Sequence, residues 1–343
     1  MTCYYNESME FFYNRSNGES DEDLLESTLI LGFVIGSLFC LFIFLSNALV
    51  ICAVVRNRRF HYPFYYLLAN LAAADFFAGI AYVYLMFHTG PVSKTLTVHR
   101  YFLRQGLLDA SLTASVANLL VIAVERYTSV MKMQVHSTLT KRRVSVLIVG
   151  IWTVAAVMGA TPSMGWNCIC NISTCSVLAP VYSRSFLIFW AVSNLFSFFI
   201  IMTIYLRIYL FVKKKTQIIS PHTTGSIKRS KMPMKLVKTI MTVLGAFIIC
   251  WTPGLVVVLL DGLQCKSCDL LSMKKWALML ALINSLMNPI IYSRKDREMW
   301  KTLKSMICCI SQNAFEKDHS KSISTRQSII TESGYCAEEQ ASS

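Results

Sequence analysis

Residues 29–55 read LILGFVIGSLFCLFIFLSNALVICAVV, a stretch of 27 residues without a single Asp, Glu, Lys, Arg or His. A helix crosses the hydrocarbon core of a bilayer with about 20 apolar residues, so this stretch can span a membrane with some tilt. It follows 28 mostly polar residues and is too long for the apolar part of a cleavable signal peptide. We therefore expect it to remain in the protein as a signal anchor.

The rest of the chain repeats this apolar pattern. Of the 343 residues, 54% are hydrophobic and only 15% are charged, whereas a soluble domain carries roughly a quarter charged residues. Six further apolar runs follow the first, at approximately Phe64–His88, Arg104–Glu125, Val144–Trp166, Tyr182–Val212, Met234–Leu260 and Lys275–Ser293. The sequence thus predicts an all-α membrane protein with a seven-helix transmembrane domain over residues 29–294, since helices satisfy every backbone polar group in lipid.

The distribution of charge predicts the orientation. The loops after the first, third and fifth helices are rich in Lys and Arg, whereas residues 1–28 hold seven acids and one base, Arg15. Because basic loops stay in the cytoplasm, we expect an extracellular N-terminal segment over residues 1–28 in a multi-pass protein of the plasma membrane. The net charge of +14 is mostly this topological signature, so nucleic-acid binding is a poor alternative.

The segments that flank the bundle carry modification signals. Residues 295–309 predict an amphipathic helix along the membrane that ends at the palmitoylation candidates Cys308 and Cys309. Residues 310–343 are rich in Ser, Thr and Glu and predict a disordered, phosphorylatable cytoplasmic tail. On the outer side, three sequons predict glycosylation at Asn6, Asn14 and Asn171. Six cysteines lie on that side, where disulfides persist: Cys3, Cys168, Cys170, Cys175, Cys265 and Cys268.

Several polar residues lie within the apolar runs: Asn47, Asp75, Asn284 and Asn288. An ionisable group at bilayer depth costs roughly 2.5–3.5 kcal/mol, so it marks a function or a polar network. A purely structural hydrogen-bond cluster between helices is the open alternative. Three strings favour function because each charges or breaks a helix: Glu125-Arg126-Tyr127, Cys250-Trp251-Thr252-Pro253 and Asn288-Pro289-Ile290-Ile291-Tyr292.

These strings resemble the motifs of rhodopsin-like G-protein-coupled receptors, on the same helices and in the same order. The resemblance implies a receptor that signals through heterotrimeric G proteins. It implies that the protein is not an enzyme and has no cofactor. It implies that Asp75 belongs to a sodium-linked polar network, that Glu125 locks Arg126 at rest, and that Trp251 senses the ligand. The positions that it assigns to the activation switch and to G-protein coupling are Asp75, Glu125, Arg126, Tyr127, Pro253, Asn288, Pro289 and Tyr292.

One departure narrows the resemblance. Tyr101 stands where the family carries the cysteine that tethers its third helix to the second outer loop. Receptors for lysophospholipids lack this cysteine and carry cysteines within the second and third outer loops, as here. The strings NLAAADFFAGIAY at 70–82, LRQGLLD at 103–109 and CWTPGLVVVLLD at 250–261 resemble lysophosphatidic acid receptors, and PVSKTLTV at 91–98 is most similar to their third subtype.

This narrower resemblance implies pairings and partners. It implies the cysteine pairs Cys3 with Cys170, Cys168 with Cys175, and Cys265 with Cys268. It also implies lysophosphatidic acid as the ligand. The partners that it implies are G proteins of the Gq and Gi classes, arrestins and receptor kinases at the tail, and membrane lipids.

The outer face carries more cations than the positive-inside trend explains. A phosphate monoester has ~1.5–2 negative charges, and Arg offers it paired donors whereas Lys offers a point charge. We predict that Arg104 clamps the phosphate, that Gln105 binds a neutral hydroxyl or ester, and that Asp109 orients Arg104 or accepts from a glycerol hydroxyl. Snorkelling of basic side chains to the interface is the open alternative. Lys274 or Lys275 is the candidate for a second cation, and Arg184 is a further basic candidate for ligand binding. Trp190 and Trp251 are candidates for contact with an acyl chain, and Tyr13 for an N-terminal lid.

Three other functions are alternatives to a receptor for lysophosphatidic acid. A transporter or channel needs a continuous charged path or paired discontinuous helices, and an intramembrane enzyme needs a catalytic motif; the sequence shows neither. A receptor for sphingosine 1-phosphate differs chiefly at Gln105, because that ligand carries an ammonium group near its phosphate.

Overall fold

The computed structural model describes residues 3–15, 26–132, 139–219, 227–265, 267–295 and 297–308. Its helices are α1 Met9–Arg15, α2 Glu26–Arg56, α3 Pro63–Phe87, α4 Val98–Met131, α5 Lys141–Ala160, α6 Arg184–Ile219, α7 Ile227–Gly262, α8 Leu270–Lys295 and α9 at 297–308. Within the described residues, the seven helices α2 to α8 are long and apolar enough to cross a membrane. The predicted all-α, seven-helix fold is confirmed.

The end of the bundle that carries α1 is called the outer end here, and the opposite end the inner end, following the orientation that the charge distribution predicts. Two helix boundaries at the outer end differ from those predicted. α4 begins at Val98 rather than Arg104, because Thr97 caps it by accepting the backbone N–H of Arg100 at 3.4 Å. α5 ends at Ala160 rather than Trp166. Arg104 therefore lies within α4 rather than at its first residue.

α8 also begins earlier than predicted, at Leu270 rather than Lys275. This places Lys274 and Lys275 on the first two turns of α8, at the outer end. Pro289 lies inside the same helix, as the sequence predicted.

α4 runs through the centre of the bundle and packs tightly against α5. A Cβ atom added to Gly106 would lie 2.6 Å from the carbonyl oxygen of Gly159, and one added to Gly159 would lie 2.5 Å from that of Gly106. Side chains at either position would push the helices apart, so both glycines permit a backbone contact that larger residues forbid. The contact fixes the position of α4 against α5 next to Gln105, the residue that precedes Gly106.

Short helices close both ends of the bundle. At the outer end, Met9 and Phe12 of α1 are fully buried, and the backbone N–H of Met9 donates to the carbonyl of Leu96 at 2.9 Å. At the inner end, α9 buries Met299 and Leu303 four residues apart, which is the pattern of an amphipathic helix. α9 corresponds to the amphipathic helix predicted within residues 295–309. Cys309 and the predicted tail at 310–343 lie outside the described residues.

Candidate functional site

Disulfides hold the loops of the outer end. The structure joins three pairs, Cys3–Cys170, Cys168–Cys175 and Cys265–Cys268. The first ties the N-terminal segment to outer loop 2, which is the segment 161–183 between α5 and α6. The sequon residues Asn6, Asn14 and Asn171 are all exposed, so each remains a candidate for glycosylation.

Arg104 is a buried cation near the outer end of α4, with only 5% of its surface exposed. Its Nη1 donates to the backbone carbonyl of His88, at the end of α3, across 2.6 Å. Its guanidinium carbon lies 4.5 Å from the centre of the Tyr101 ring, a cation–π contact. Its Nε has no hydrogen-bond partner in the described part of the chain. No carboxylate of the described residues forms an ion pair with it, so Arg104 keeps both its charge and a spare donor.

Asp109 forms no ion pair with Arg104 among the described residues; its bonded partner there is Tyr182. Its Oδ2 accepts a hydrogen bond from the Tyr182 hydroxyl at 3.0 Å, and its carboxylate lies near the half-buried Gln105 side chain. Burial raises the pKa of Tyr182 well above its usual range, because the phenolate would lose its hydration; the hydroxyl therefore stays a donor. This bond connects α4 to outer loop 2, near the place where the family's usual disulfide is missing.

The other predicted cations surround outer loop 2. Lys274 donates through Nζ to the carbonyl of Leu178 at 2.9 Å, and its neighbour Lys275 is exposed. Arg184 donates through Nη2 to the carbonyl of Ser173 at 2.8 Å. Arg184, in the first turn of α6, thus stabilises outer loop 2, because its guanidinium already donates a hydrogen bond to a loop carbonyl.

The aromatic candidates line the interior of the bundle. Trp190 is buried and Trp251 is half-buried, and the indole nitrogen of each lacks a hydrogen-bond partner among the described residues. Trp251 contacts Phe247 with ring centroids 6.2 Å apart. Tyr13 of α1 lies close enough to Tyr101 for an electrostatic interaction between the two hydroxyls. The N-terminal segment therefore reaches the level of the Arg104 site.

A polar cluster occupies the middle of the bundle. The Asn288 side chain donates to Asp75 Oδ2 at 2.7 Å, and the Asn47 side chain donates to the carbonyl of Ser285 at 3.3 Å. Asp75, Asn47 and Asn288 thus meet across α2, α3 and α8. The amide oxygens of Asn47, Asn284 and Asn288 are buried without a hydrogen-bond partner in the described chain.

A second buried network was missed by the sequence analysis. Asn70 donates to Asn118 Oδ1 at 3.1 Å and accepts from the Trp152 indole at 3.0 Å, while Asn118 donates to the carbonyl of Leu67 at 2.9 Å. These bonds join α3, α4 and α5. Asn70 and Asn118 also lie within apolar runs, so the same sequence pattern that singled out Asn47 could have identified them.

The inner end of α4 contains a closed ion pair. Arg126 donates through Nε and Nη2 to the two carboxylate oxygens of Glu125, the second bond at 2.5 Å. Ser129 donates to Glu125 Oε1 at 3.0 Å, and the guanidinium carbon of Arg126 lies 4.3 Å from the centre of the Phe64 ring. Tyr205 of α6, which the sequence analysis did not single out, turns a buried hydroxyl without a partner among the described residues toward this pair.

The remaining switch candidates lie around this core. Tyr127 is half-buried, and Pro253 is exposed on the surface of α7. Tyr292 lies within α8, but its side chain is outside the described residues.

Comparisons with known proteins agree with this geometry. Residues 46–292 match the 7 transmembrane receptor (rhodopsin family). Lysophosphatidic acid receptor 3 of Mus musculus is 65% identical over 312 residues, which cover 91% of this chain and 88% of the relative. The human protein of the same name is 64% identical over 323 residues, covering 94% and 92%. Human lysophosphatidic acid receptor 1 is 54% identical over 308 residues, covering 90% and 84%.

Proposed function

Because the chain belongs to the rhodopsin family of seven-transmembrane receptors and, within it, to the lysophosphatidic acid receptors, we propose that it binds lysophosphatidic acid at its outer end and signals through heterotrimeric G proteins at its inner end. It is a multi-pass receptor and not an enzyme. We further propose that its N-terminus is extracellular.

The observation that carries the proposal is the unpaired charge of Arg104. A buried cation normally has a carboxylate partner, because desolvation without one is costly. Among the described residues, Arg104 contacts a carbonyl and an aromatic ring but forms no ion pair with a carboxylate. A phosphate monoester supplies the missing anion and up to three acceptor oxygens, and the free Nε gives it a donor that requires no existing bond to break.

The rest of the site suits a lysophospholipid. Lys274 and Lys275, at the outer end of α8, add positive charge for the phosphate, and Gln105 offers a neutral group to the glycerol or the ester. Trp190 and Trp251 belong to the apolar interior that receives the acyl chain. Tyr13 and α1 cover the site as a lid.

The inner end supplies the transduction step. We propose that ligand binding frees Arg126 from Glu125 and opens the inner end to G proteins of the Gq and Gi classes. The tail then serves receptor kinases and arrestins, and Cys308 with Cys309 anchors α9 through palmitate.

The polar cluster around Asp75 is the proposed site for a sodium ion that stabilises the resting state. A carboxylate and free amide oxygens are ligands that hard cations prefer. The buried oxygens of Asn47, Asn284 and Asn288 fit this requirement.

A calcium-mobilisation assay in cells that express the chain tests the proposal. Lysophosphatidic acids of varied unsaturation should each give a dose-dependent response, and sphingosine 1-phosphate should give none at matched concentrations. A response to sphingosine 1-phosphate alone would assign the receptor to the related lysophospholipid. Silence toward the whole panel at normal surface expression would refute the proposed ligand class.

A further inference from the structure

Asp261 is a buried acid at the outer end of α7, only 2% exposed, and it has no ionic partner among the described residues. Its carboxylate accepts the backbone N–H of Val177 at 3.0 Å, that of Leu178 at 3.4 Å, and the hydroxyl of Ser176. Three donors from one loop compensate a buried charge in the way an anion-binding turn does. α7 is thereby attached to the middle of outer loop 2.

The same loop residue is held from the other side by α8. Lys274 Nζ donates to the Leu178 carbonyl at 2.9 Å, while the Leu178 N–H donates to Asp261. Both backbone groups of Leu178 are therefore engaged by charged side chains of opposite sign, from two different helices. We call Asp261, Leu178 and Lys274 the loop clamp.

We propose that Asp261 is a positioning residue for the phosphate site, acting through the loop clamp. By fixing the Leu178 backbone it fixes the carbonyl that holds the ammonium group of Lys274 at the outer end of the bundle. This inference rests on the proposed function and deepens it, because it names what places the second cation of the clamp on the ligand phosphate.

The chemistry of Lys274 lets it serve the carbonyl and the phosphate together. An ammonium group has three donors, and the charged oxygens of a phosphate form stronger bonds with it than a neutral carbonyl does. Lys274 keeps its bond to the Leu178 carbonyl when ligand arrives and directs a further donor at the phosphate. Asp261 keeps this carbonyl in place, so its effect on ligand potency passes through Lys274.

A double-mutant cycle tests this dependence in cells. Asp261→Asn preserves the size of the side chain but places an amide N–H₂ against backbone donors. We expect about a tenfold loss in potency for lysophosphatidic acid at unchanged surface expression, which corresponds to about 1.4 kcal/mol. Ser176→Ala removes one donor and keeps the carboxylate, so it should lose less.

Non-additivity separates positioning from general destabilisation. In the Lys274→Ala background, Asp261→Asn should cause little further loss, because the group that it positions is absent. The matched control is Asp269→Asn, which removes an exposed outer acid that caps the start of α8 through Ser272, and it should leave potency near the wild-type value. Additive losses in the double variant, or an equal loss from Asp269→Asn, would overturn the proposal.

A second measurement requires no agonist. In the purified full-length receptor, hydrogen–deuterium exchange of the amides at 177–178 should be faster in Asp261→Asn than in the wild type and unchanged in Asp269→Asn. Unchanged exchange in Asp261→Asn would overturn the loop clamp. Faster exchange in a receptor that ignores lysophosphatidic acid would retain the clamp and refute only the proposed ligand.

Discussion

The two ends of α4 each carry an arginine and a carboxylate, with opposite outcomes. At the inner end Arg126 and Glu125 form a closed pair with two hydrogen bonds. At the outer end Arg104 and Asp109 stay apart, since Arg104 donates to a carbonyl and Asp109 accepts from Tyr182. Adjacent residues pair at one end, whereas five positions separate the residues at the other and turn them to different neighbours.

This difference assigns different tasks to the two ends. A paired cation is satisfied by the protein itself, so in the proposed mechanism the inner pair acts as a lock that must be opened. The outer cation has no carboxylate partner among the described residues, so we propose that an anion from outside supplies one. One continuous helix then carries the proposed lock at its inner end and the proposed ligand site at its outer end.

Removing the outer cation gives the largest expected effect. Arg104→Ala should weaken the response to lysophosphatidic acid by about 10- to 150-fold, because a charge-assisted hydrogen bond is worth roughly 1.5–3 kcal/mol. Dose–response curves for calcium release, normalised to surface expression, measure this. Arg100→Ala is the matched control, since it removes an exposed arginine one turn away on the same helix. Unchanged potency in Arg104→Ala would disprove the phosphate clamp.

Giving the outer arginine an adjacent acid makes the outer end resemble the inner one. Gln105→Glu should weaken lysophosphatidic acid about tenfold and admit sphingosine 1-phosphate, whose ammonium group a carboxylate attracts. Two unit charges ~4 Å apart interact by about 4 kcal/mol at an effective dielectric of 20, and a third of that is about tenfold.

Both ligands should be measured on this variant and on the double variant with Arg104→Ala, which should answer neither. If lysophosphatidic acid keeps its potency and sphingosine 1-phosphate stays silent, Gln105 serves only helix packing.

Opening the inner pair makes the inner end resemble the outer one. Glu125→Gln removes the charge that holds Arg126, so basal nucleotide exchange on a G protein should rise about fivefold, as a shift of about 1 kcal/mol produces. Agonist-free GTPγS binding in membranes reports this rise. Ser129→Ala breaks only the supporting bond to Glu125 and should raise it less. A basal rate equal to wild type in Glu125→Gln would mean that this pair is not the lock.

The hydrogen bond between outer loop 2 and α4 gives the smallest expected effect. Tyr182→Phe removes one hydrogen bond to Asp109, worth about 0.5–1.5 kcal/mol, and should lower potency about threefold. Dose–response curves for calcium release, normalised to surface expression, measure this loss. Potency equal to that of the wild type would show that this bond does not contribute to the site.

The sequence predicted the spans well because membrane helices are specified by local composition. A run such as 29–55 has no alternative fold in lipid. The helix ends were less accurate, because caps such as Thr97 add polar turns beyond the apolar run. Met9 and Phe12 were missed as a buried face, although they stand three residues apart in a short segment between polar stretches.

The site was predicted by residue type but not by partner. The sequence predicted that Arg104, Asp109 and one of Lys274 or Lys275 serve one ligand. Arg104, Asp109 and Lys274 each bond a group that no local pattern reveals: the carbonyl of His88, the hydroxyl of Tyr182 and the carbonyl of Leu178. No sequence signal indicated the role of Asp261, since its donors are backbone N–H groups 83 to 84 positions away. Contacts of this range depend on the folded loop.

The attachment of α1 bears on how long a ligand stays bound. Two backbone hydrogen bonds hold α1 to the loop after α3, Met9 to Leu96 and Glu10 to Lys94, and the Cys3–Cys170 bond keeps the segment attached when they break. If α1 lifts as the proposed lid, this tether would let it return without leaving the receptor. The dwell time of a bound lipid would then depend on the frequency of lifting as well as on the strength of its contacts, so two ligands of equal affinity would signal for different durations.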